Sequence, residues 1–444
     1  MKFRQLYWIV IVFSILSCKQ ESSQVLVSSP SQNITVMLSL DESGSPLYSV
    51  SFNGKNVILP SSMGFDFINA PELKYDLAIT DVIKTSTDET WDMPWGEQLH
   101  VENKYNECFI ILQETQKPYR KFNIIFRVFD DGLGFRYEFP KEFAHDEVII
   151  NDEHTEFNLS GDHTVWWIPG DWDIYEHLYN TTTFSEIDAI KYRNHSSLAQ
   201  SYIPNNAVNT PVTMKTNDGV YLSFHEANLT DYAGMTLKVD KEKLSMTSAL
   251  VGSDQFGYNV KRSTPFQTPW RTIQISNRAG DLIDSKLILN LNDPNKLGDI
   301  SWFTPTKYMG IWWEMHVGKS SWDMASGRHG ATTENAKSFI DFSSENGIGA
   351  VLIEGWNTGW ERWFGIPDRE DIFDFVTPYP DYDLEAVVSY GKVKGVDIIM
   401  HHETSAAPRT YEQQLDTAFA LMKTYGMHTV KTGYVGTILP EGEY

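Results

Sequence analysis

Two folds follow one another in this sequence: a large antiparallel β-sandwich over about residues 24–290, and the first half of a (β/α)8 TIM barrel over about residues 291–444. Three observations predict them. Upstream, short runs alternating with a period of two, such as Val36-Leu38-Leu40 and Ile124-Phe126-Val128, are punctuated by turn residues at Asp130-Asp131-Gly132 and Asp218-Gly219. That is the pattern of strands with one face in a core. Downstream of Asn292-Asp293-Pro294, apolar runs alternate with amphipathic helical windows, and β and α units in alternation imply a parallel sheet with right-handed crossovers. Finally, each downstream strand ends in polar or aromatic residues, and the carboxyl ends of barrel strands are where chemistry sits.

Length and composition set the bounds. At 444 residues the chain is long enough for two or three domains. A net charge of −23 argues against nucleic acid, because a polyanion is bound by Lys and Arg that displace its counterions; it also disfavours anionic membrane surfaces. Most of the acids read as a solvated surface, and a few would suit a hard cation such as calcium, which prefers oxygen ligands. The 14 Trp, 21 Tyr and 24 Phe suit a ligand with flat apolar faces to be stacked, sugars among them. The two cysteines, Cys18 and Cys108, leave no internal disulfide framework, and Cys108 in the run CFIIL reads as core.

At the amino terminus, Lys2 and Arg4 precede an apolar run from Leu6 to Leu16. The run is too short for a comfortable bilayer span and suits a signal peptide over residues 1–18. Ile15-Leu16-Ser17-Cys18 resembles a bacterial lipobox, in which Cys18 is lipidated and becomes the new amino terminus; ordinary cleavage near the same place is the alternative. Either route exports the chain to a Gram-negative periplasm or its bounding membrane.

Within the sandwich, Trp166-Trp167-Ile168-Pro169-Gly170-Asp171-Trp172 reads either as a loop reaching out of the sheets or as core packed beneath one. Glu176, between tyrosines in YEHLY, is a candidate cation ligand or substrate contact. His225-Glu226-Ala227 follows a strand and reads as a structural corner.

In the barrel, Tyr308–Met315 reads as the first strand and Thr332–Asn346 as its helix, begun by a Thr-Thr-Glu signal. Ala350–Ile353 is the second strand, with a helix from about Asp383 to Lys394. Ile398–His401 is the third, followed by a helix over Thr410–Tyr425 closed by Gly426. Thr429–Thr432 is the fourth. These strands deliver Glu314 and His316, then Glu354 and Trp356, then His401, His402 and Glu403, then Lys431 and Tyr434 to one face. Four strand-helix units cannot close an eight-stranded barrel.

Glu403 is the leading catalytic candidate. Adjacent histidines on a strand point to opposite faces, so His401 rather than His402 shares its side. That spacing disfavours zinc, which wants three or four converging N or S ligands. A carboxylate beside a histidine suits general-base work or a hydrogen bond to a substrate hydroxyl. Glycoside hydrolysis uses two carboxyl groups whose spacing sets the stereochemistry. The fourth strand reads Val430-Lys431-Thr432-Gly433-Tyr434, with glycine where an attacking aspartate would project, which leaves room for a water and favours inversion.

Together, DDGLGFRY, the tryptophan-rich stretch with YEHLY, HEANLTDY, WWEMH, LIEGWNTGWE, HHETS and KTGYVG resemble glycoside hydrolase family 97, the bacterial α-glucosidases and α-galactosidases. The resemblance implies an amino-terminal β-super-sandwich joined to a (β/α)8 barrel, with a calcium ion in the active site. It implies that Glu403 is the general base of an inverting enzyme, that His401, Lys431 and Glu354 contact the oligosaccharide substrate, and that Glu176 is a calcium ligand lent by the sandwich. Retaining members are similar but carry an aspartate nucleophile at the position of Gly433. The family's catalytic acid and other calcium ligands are expected beyond Tyr444, so the alternatives are an inactive, truncated carbohydrate-binding protein or a gene fragment.

Overall fold

The computed structural model describes residues 24–172, 174–193, 203–252, 256–363 and 369–433. The predicted signal peptide with Cys18, and Tyr434, lie outside the described residues. No helix among the described residues is long and apolar enough to cross a membrane.

Two antiparallel sheets face each other in the amino-terminal part. One has eight strands, in the order Gln24–Ser28, Ile34–Leu40, Pro46–Phe52, Lys55–Ser62, Glu156–Leu159, Ser245–Leu250, Met235–Asp240 and Ala207–Val208. The other runs from Asn180–Thr183 through Thr164–Trp167, Val212–Lys215, Tyr221–Ala227, Trp270–Ser276, Gly132–Phe139, Lys121–Phe129 and His100–Glu114 to Leu77–Asp92. The period of two works as predicted: Ile34, Val36 and Leu38 are buried, as are Ile124, Phe126 and Val128. Rings join the two sheets. Tyr48 lies 4.8 Å from Phe135, centroid to centroid, and Phe157 lies 5.2 Å from Phe224. Burying such a side chain stabilises by about 1.5–3 kcal/mol. Cys108 is fully buried in this core, and burial pushes its thiol up to about 11.

Strand Lys121–Phe129 is buried on both faces, which alternation alone does not foretell. Its outer residues Ile125 and Phe129 pack with Trp270, Leu287 and Leu291, and the cover is a short helix, Leu287–Leu291, preceded by another at Ala279–Asp284. Trp166 and Trp167 lie inside a strand. Trp167 is fully buried, so the core reading holds for it, while Trp166 stacks on Tyr221 at 6.5 Å.

Deep in the sandwich, the Arg271 guanidinium donates to Glu153 at 2.7 Å and to Glu226 at 2.6 Å, and the Tyr232 hydroxyl donates to Glu153 at 3.0 Å. Burial opposes ionisation of Glu153, but the Arg271 charge prevails and holds its carboxyl below the usual range; burial pushes Glu226 the other way. The expected corner at His225-Glu226-Ala227 is instead the end of strand Tyr221–Ala227. Its glutamate pairs with Arg271 at 2.6 Å.

The carboxyl-terminal part is a four-stranded parallel sheet, in the order β1 (Tyr308–Gly310), β2 (Ala350–Leu352), β3 (Asp397–Glu403) and β4 (Val430–Gly433). Helix α1 (Thr333–Glu345) starts where the Thr332 hydroxyl accepts from the Asn335 amide at 3.2 Å. Helix α2 (Leu384–Lys394) is capped by Asp383, and α3 (Pro408–Tyr425) has proline in its first turn. Gly395 and Gly426 end α2 and α3 with φ of 69°, a conformation that glycine enters without steric cost.

Three boundaries differ from expectation by two residues or more. β1 stops at Gly310 instead of Met315, and Trp313–His316 form a helical turn. The Glu314 carboxylate stabilises that turn by accepting from Ser320 and Asn335, both at 3.1 Å, and by pairing with Lys319. A short apolar run is ambiguous between strand and helix, and here side-chain bonds to the following segment decide. β3 extends two residues beyond His401, because Glu403 pairs with Gly433 on β4. α3 begins at Pro408, two residues early, since proline is tolerated in a first turn.

Candidate active site

The site grows from the β3–β4 register, in which His401 lies opposite Lys431 and Glu403 opposite Gly433. Side chains alternate along β3. His402 turns to the helix side, where its Nδ1 lies 3.0 Å from the Tyr411 hydroxyl of α3 and its ring packs on Phe375. His401 and Glu403 take the other face. A Cβ on Gly433 would stand 2.1 Å from Glu403 Oε2 and 3.4 Å from His401 Nε2. Glycine at 433 is therefore what allows the carboxylate to lie where it does. The space expected to admit a water is filled by Glu403 itself.

The turn after β3 fixes this carboxylate. Ser405 donates its backbone N–H to Glu403 Oε1 at 2.8 Å, and Thr404 anchors the turn to the Gly433 carbonyl through its amide at 2.9 Å and its hydroxyl at 2.7 Å. Ser405 and Ala406 both have φ of 53°. Such left-handed non-glycine residues cost about 1–3 kcal/mol each and gather at functional sites. Glu403 is 2% exposed.

β2 supplies Glu354, buried two residues past the strand. Lys431 Nζ donates to Glu354 Oε1 at 2.6 Å, and Glu354 Oε2 lies 3.8 Å from His401 Nε2. The loop is held from both sides. Trp356 Nε1 donates to the His401 carbonyl at 2.8 Å, and His329 bridges the Gly355 carbonyl at 2.9 Å to Asp381 at 2.9 Å. Gly355 has φ of 85°, and a Cβ there would meet the Trp322 carbonyl at 3.0 Å.

Burial, reinforced by the Lys431 charge, pushes His401 down to about 3; burial pushes His402 down to about 4. Both rings are neutral near pH 7. His401 Nδ1 has no hydrogen-bond partner among the described residues. A neutral imidazole so placed can give or take one hydrogen bond without adding charge.

Tryptophans wall the cluster. Trp360 stacks on the His401 ring at 5.8 Å, and Trp322 stacks on Trp360 at 4.9 Å. The Lys431 ammonium lies 5.9 Å from the Trp312 ring. Of the site residues predicted from sequence, Glu403, His401, Lys431 and Glu354 thus come together. Glu314 and His316 belong to the helical turn after β1. Glu176 is an exposed residue between strands Thr164–Trp167 and Asn180–Thr183. Among the described residues no three His, Cys, Asp or Glu side chains come together as a metal cage. Sequence reasoning missed Ser405, His329 and Asp381; none belongs to a spacing pattern, and only the fold brings them to the loops they hold.

A family model for the glycosyl hydrolase 97 N-terminal region matches residues 27–294, and one for glycoside hydrolase 97 matches residues 312–440. A glycoside hydrolase family 97 enzyme from Pseudoalteromonas sp. strain K8, solved in complex with acarbose, superposes with a TM-score of 0.84 at 40% identity, covering 93% of this chain and 59% of that one. A variant of that enzyme, solved with panose, gives the same figures. A retaining alpha-galactosidase of Bacteroides thetaiotaomicron is 22% identical over 413 residues, which span 86% of this chain and 56% of the relative. The chain therefore spans little more than half the length of these relatives.

Proposed function

Because this chain belongs to glycoside hydrolase family 97, we propose that the protein hydrolyses α-glucosidic bonds of oligosaccharides with inversion, Glu403 serving as general base. One observation carries the reading: the Glu403 carboxylate is seated over Gly433, against His401, on the face where β2, β3 and β4 deliver their polar ends. Ser405 N–H holds one carboxylate oxygen. The other is the one that takes a proton from the water attacking the anomeric carbon. His401, neutral at working pH, and the Glu354–Lys431 pair bind sugar hydroxyls, and the stacked Trp360 and Trp322 rings exclude water.

The choice of glucoside and of inversion rests on two supports. The 40% identical Pseudoalteromonas enzyme was solved with acarbose and panose, whereas the relative named as a retaining α-galactosidase is 22% identical. Gly433 also offers no side-chain nucleophile at the end of β4. Calcium belongs to the proposal only as an ion that Glu176 would help to hold. One carboxylate falls short of the roughly six to eight oxygens calcium takes, and no step here is routed through it. Lys2, Arg4 and the run to Leu16 support export, with the protein either free in the periplasm or anchored at the outer membrane through Cys18.

The test follows by proton NMR the anomer of glucose first released from an aryl α-glucoside, whose only glucose is the one attacked. β-Glucose is expected as the first product, and α-glucose as the first product would refute inversion. Full turnover in Glu403→Gln would refute the base. Binding of maltotriose without hydrolysis would move the protein to the alternative reading, a carbohydrate-binding protein.

A further inference from the structure

One hollow in the sandwich has no barrel residue in its lining. It has a volume of about 810 Å³, within the roughly 300–1,000 Å³ of small-molecule sites. Five aromatic side chains line it: Trp172, Tyr175, Tyr232, Phe256 and Tyr258. All five keep part of their surface in solvent, and Phe256 and Tyr258 stack in tandem at 5.5 Å, tilted by only 24°. A core would cover these faces. A ligand with flat C–H surfaces would do so as well.

The polar groups of the hollow narrow the class of ligand. Trp172 Nε1 is shielded from solvent and has no hydrogen-bond partner among the described residues. Leaving a buried donor unpaired costs about 1–3 kcal/mol, which a hydroxyl oxygen of a ligand would recover. Asp171 and Glu226 face the same hollow and are held in place: Asp171 accepts from the Ile174 amide at 3.3 Å, and Glu226 accepts from the Met235 amide at 3.0 Å and from Arg271. Carboxylates fixed in this way are pre-oriented acceptors for hydroxyl donors. With Glu147 and Asp231 against Lys261 and Arg262, acids outnumber bases, which excludes an anionic ligand. The two bases are themselves paired, Lys261 with Glu147 at 3.4 Å and Arg262 with Asp231 at 3.2 Å.

We propose that this hollow is a second saccharide-binding site, within the sandwich, that takes a short neutral oligosaccharide stacked on Phe256 and Tyr258 and bonded to Trp172 Nε1. None of its lining residues belongs to the β1–β4 sheet.

The experiment titrates the full chain calorimetrically with maltotriose and maltoheptaose. Wild type should show two classes of site. In the double variant Phe256→Ala, Tyr258→Ala, one class should weaken by about tenfold or more, with turnover of an aryl α-glucoside unchanged; Tyr258→Phe should keep both classes. Should the double variant fail to fold, Trp172→Phe, which removes only the N–H, should weaken the same class several-fold. An isotherm unaltered in both variants, or no second class in wild type, overturns the proposal. Glu354→Gln should weaken only the other class, so the two readings fail separately.

Discussion

Arg271 in the sandwich and His401 in the barrel are both buried, and each sits beside two carboxylates. Every nitrogen of the Arg271 guanidinium donates to Glu153 or Glu226. His401 has Glu354 at 3.8 Å, beyond hydrogen-bond length, and an Nδ1 with no partner among the described residues. The first arrangement leaves no guanidinium nitrogen unpaired and ties the strand of Arg271 to those of Glu153 and Glu226. The second keeps polar capacity in reserve beside a fixed carboxylate, as a site must if it is to bind something else. Burial of charge is common to both; unspent hydrogen-bonding capacity is what separates structure from function.

Substitutions at each end should pull the two apart. The largest effect is expected from Glu403→Gln, which should lower kcat by about 10²–10⁴-fold, the range of a lost general base, while the urea midpoint stays at its wild-type value. Arg271→Met should do the converse. It leaves buried acids uncompensated and should cost about 3–5 kcal/mol of unfolding free energy in a urea titration, with unchanged turnover per folded molecule. If Arg271→Met instead lowered kcat without altering stability, the comparison would break. Gly433→Ala tests the seat of the carboxylate. With Oε2 only 2.1 Å from the new Cβ, kcat should fall at least about tenfold, while overpacking costs about 1–3 kcal/mol.

The smallest effect is one of slope. Burial holds His401 and His402 at about 3 and 4 in the folded state, below the roughly 6.5 of an unfolded chain. The unfolded state therefore takes up protons first as pH falls. Their contribution to stability is fully present above about pH 6.5 and is lost between there and about pH 3. His401→Gln or His402→Gln should flatten the urea midpoint against pH in that window, and a slope equal to wild type would show that the rings are not so buried.

Much of the barrel was legible because its signals are local. Alternation placed His401 and Glu403 on one face, and the Thr332 and Gly426 signals bounded helices to within two residues. The helical turn at Trp313–His316 was not legible, since its cause is a set of bonds from Glu314 to residues further along the chain. Nor was Arg271, whose partners lie 118 and 45 residues away in sequence; no local pattern carries such pairing. Gly433 was singled out for what it lacks, yet only coordinates reveal that Glu403 occupies the place of its missing side chain.

That occupancy makes two stereochemical courses compete for one position. In retaining members of the family an aspartate is expected where Gly433 stands, and its carboxylate would need the volume that Glu403 Oε2 now takes. If Glu403 is the base proposed above, passage from one course to the other demands paired changes on neighbouring strands, and a lone Gly433→Asp exchange would displace the Glu403 carboxylate before it supplied a nucleophile.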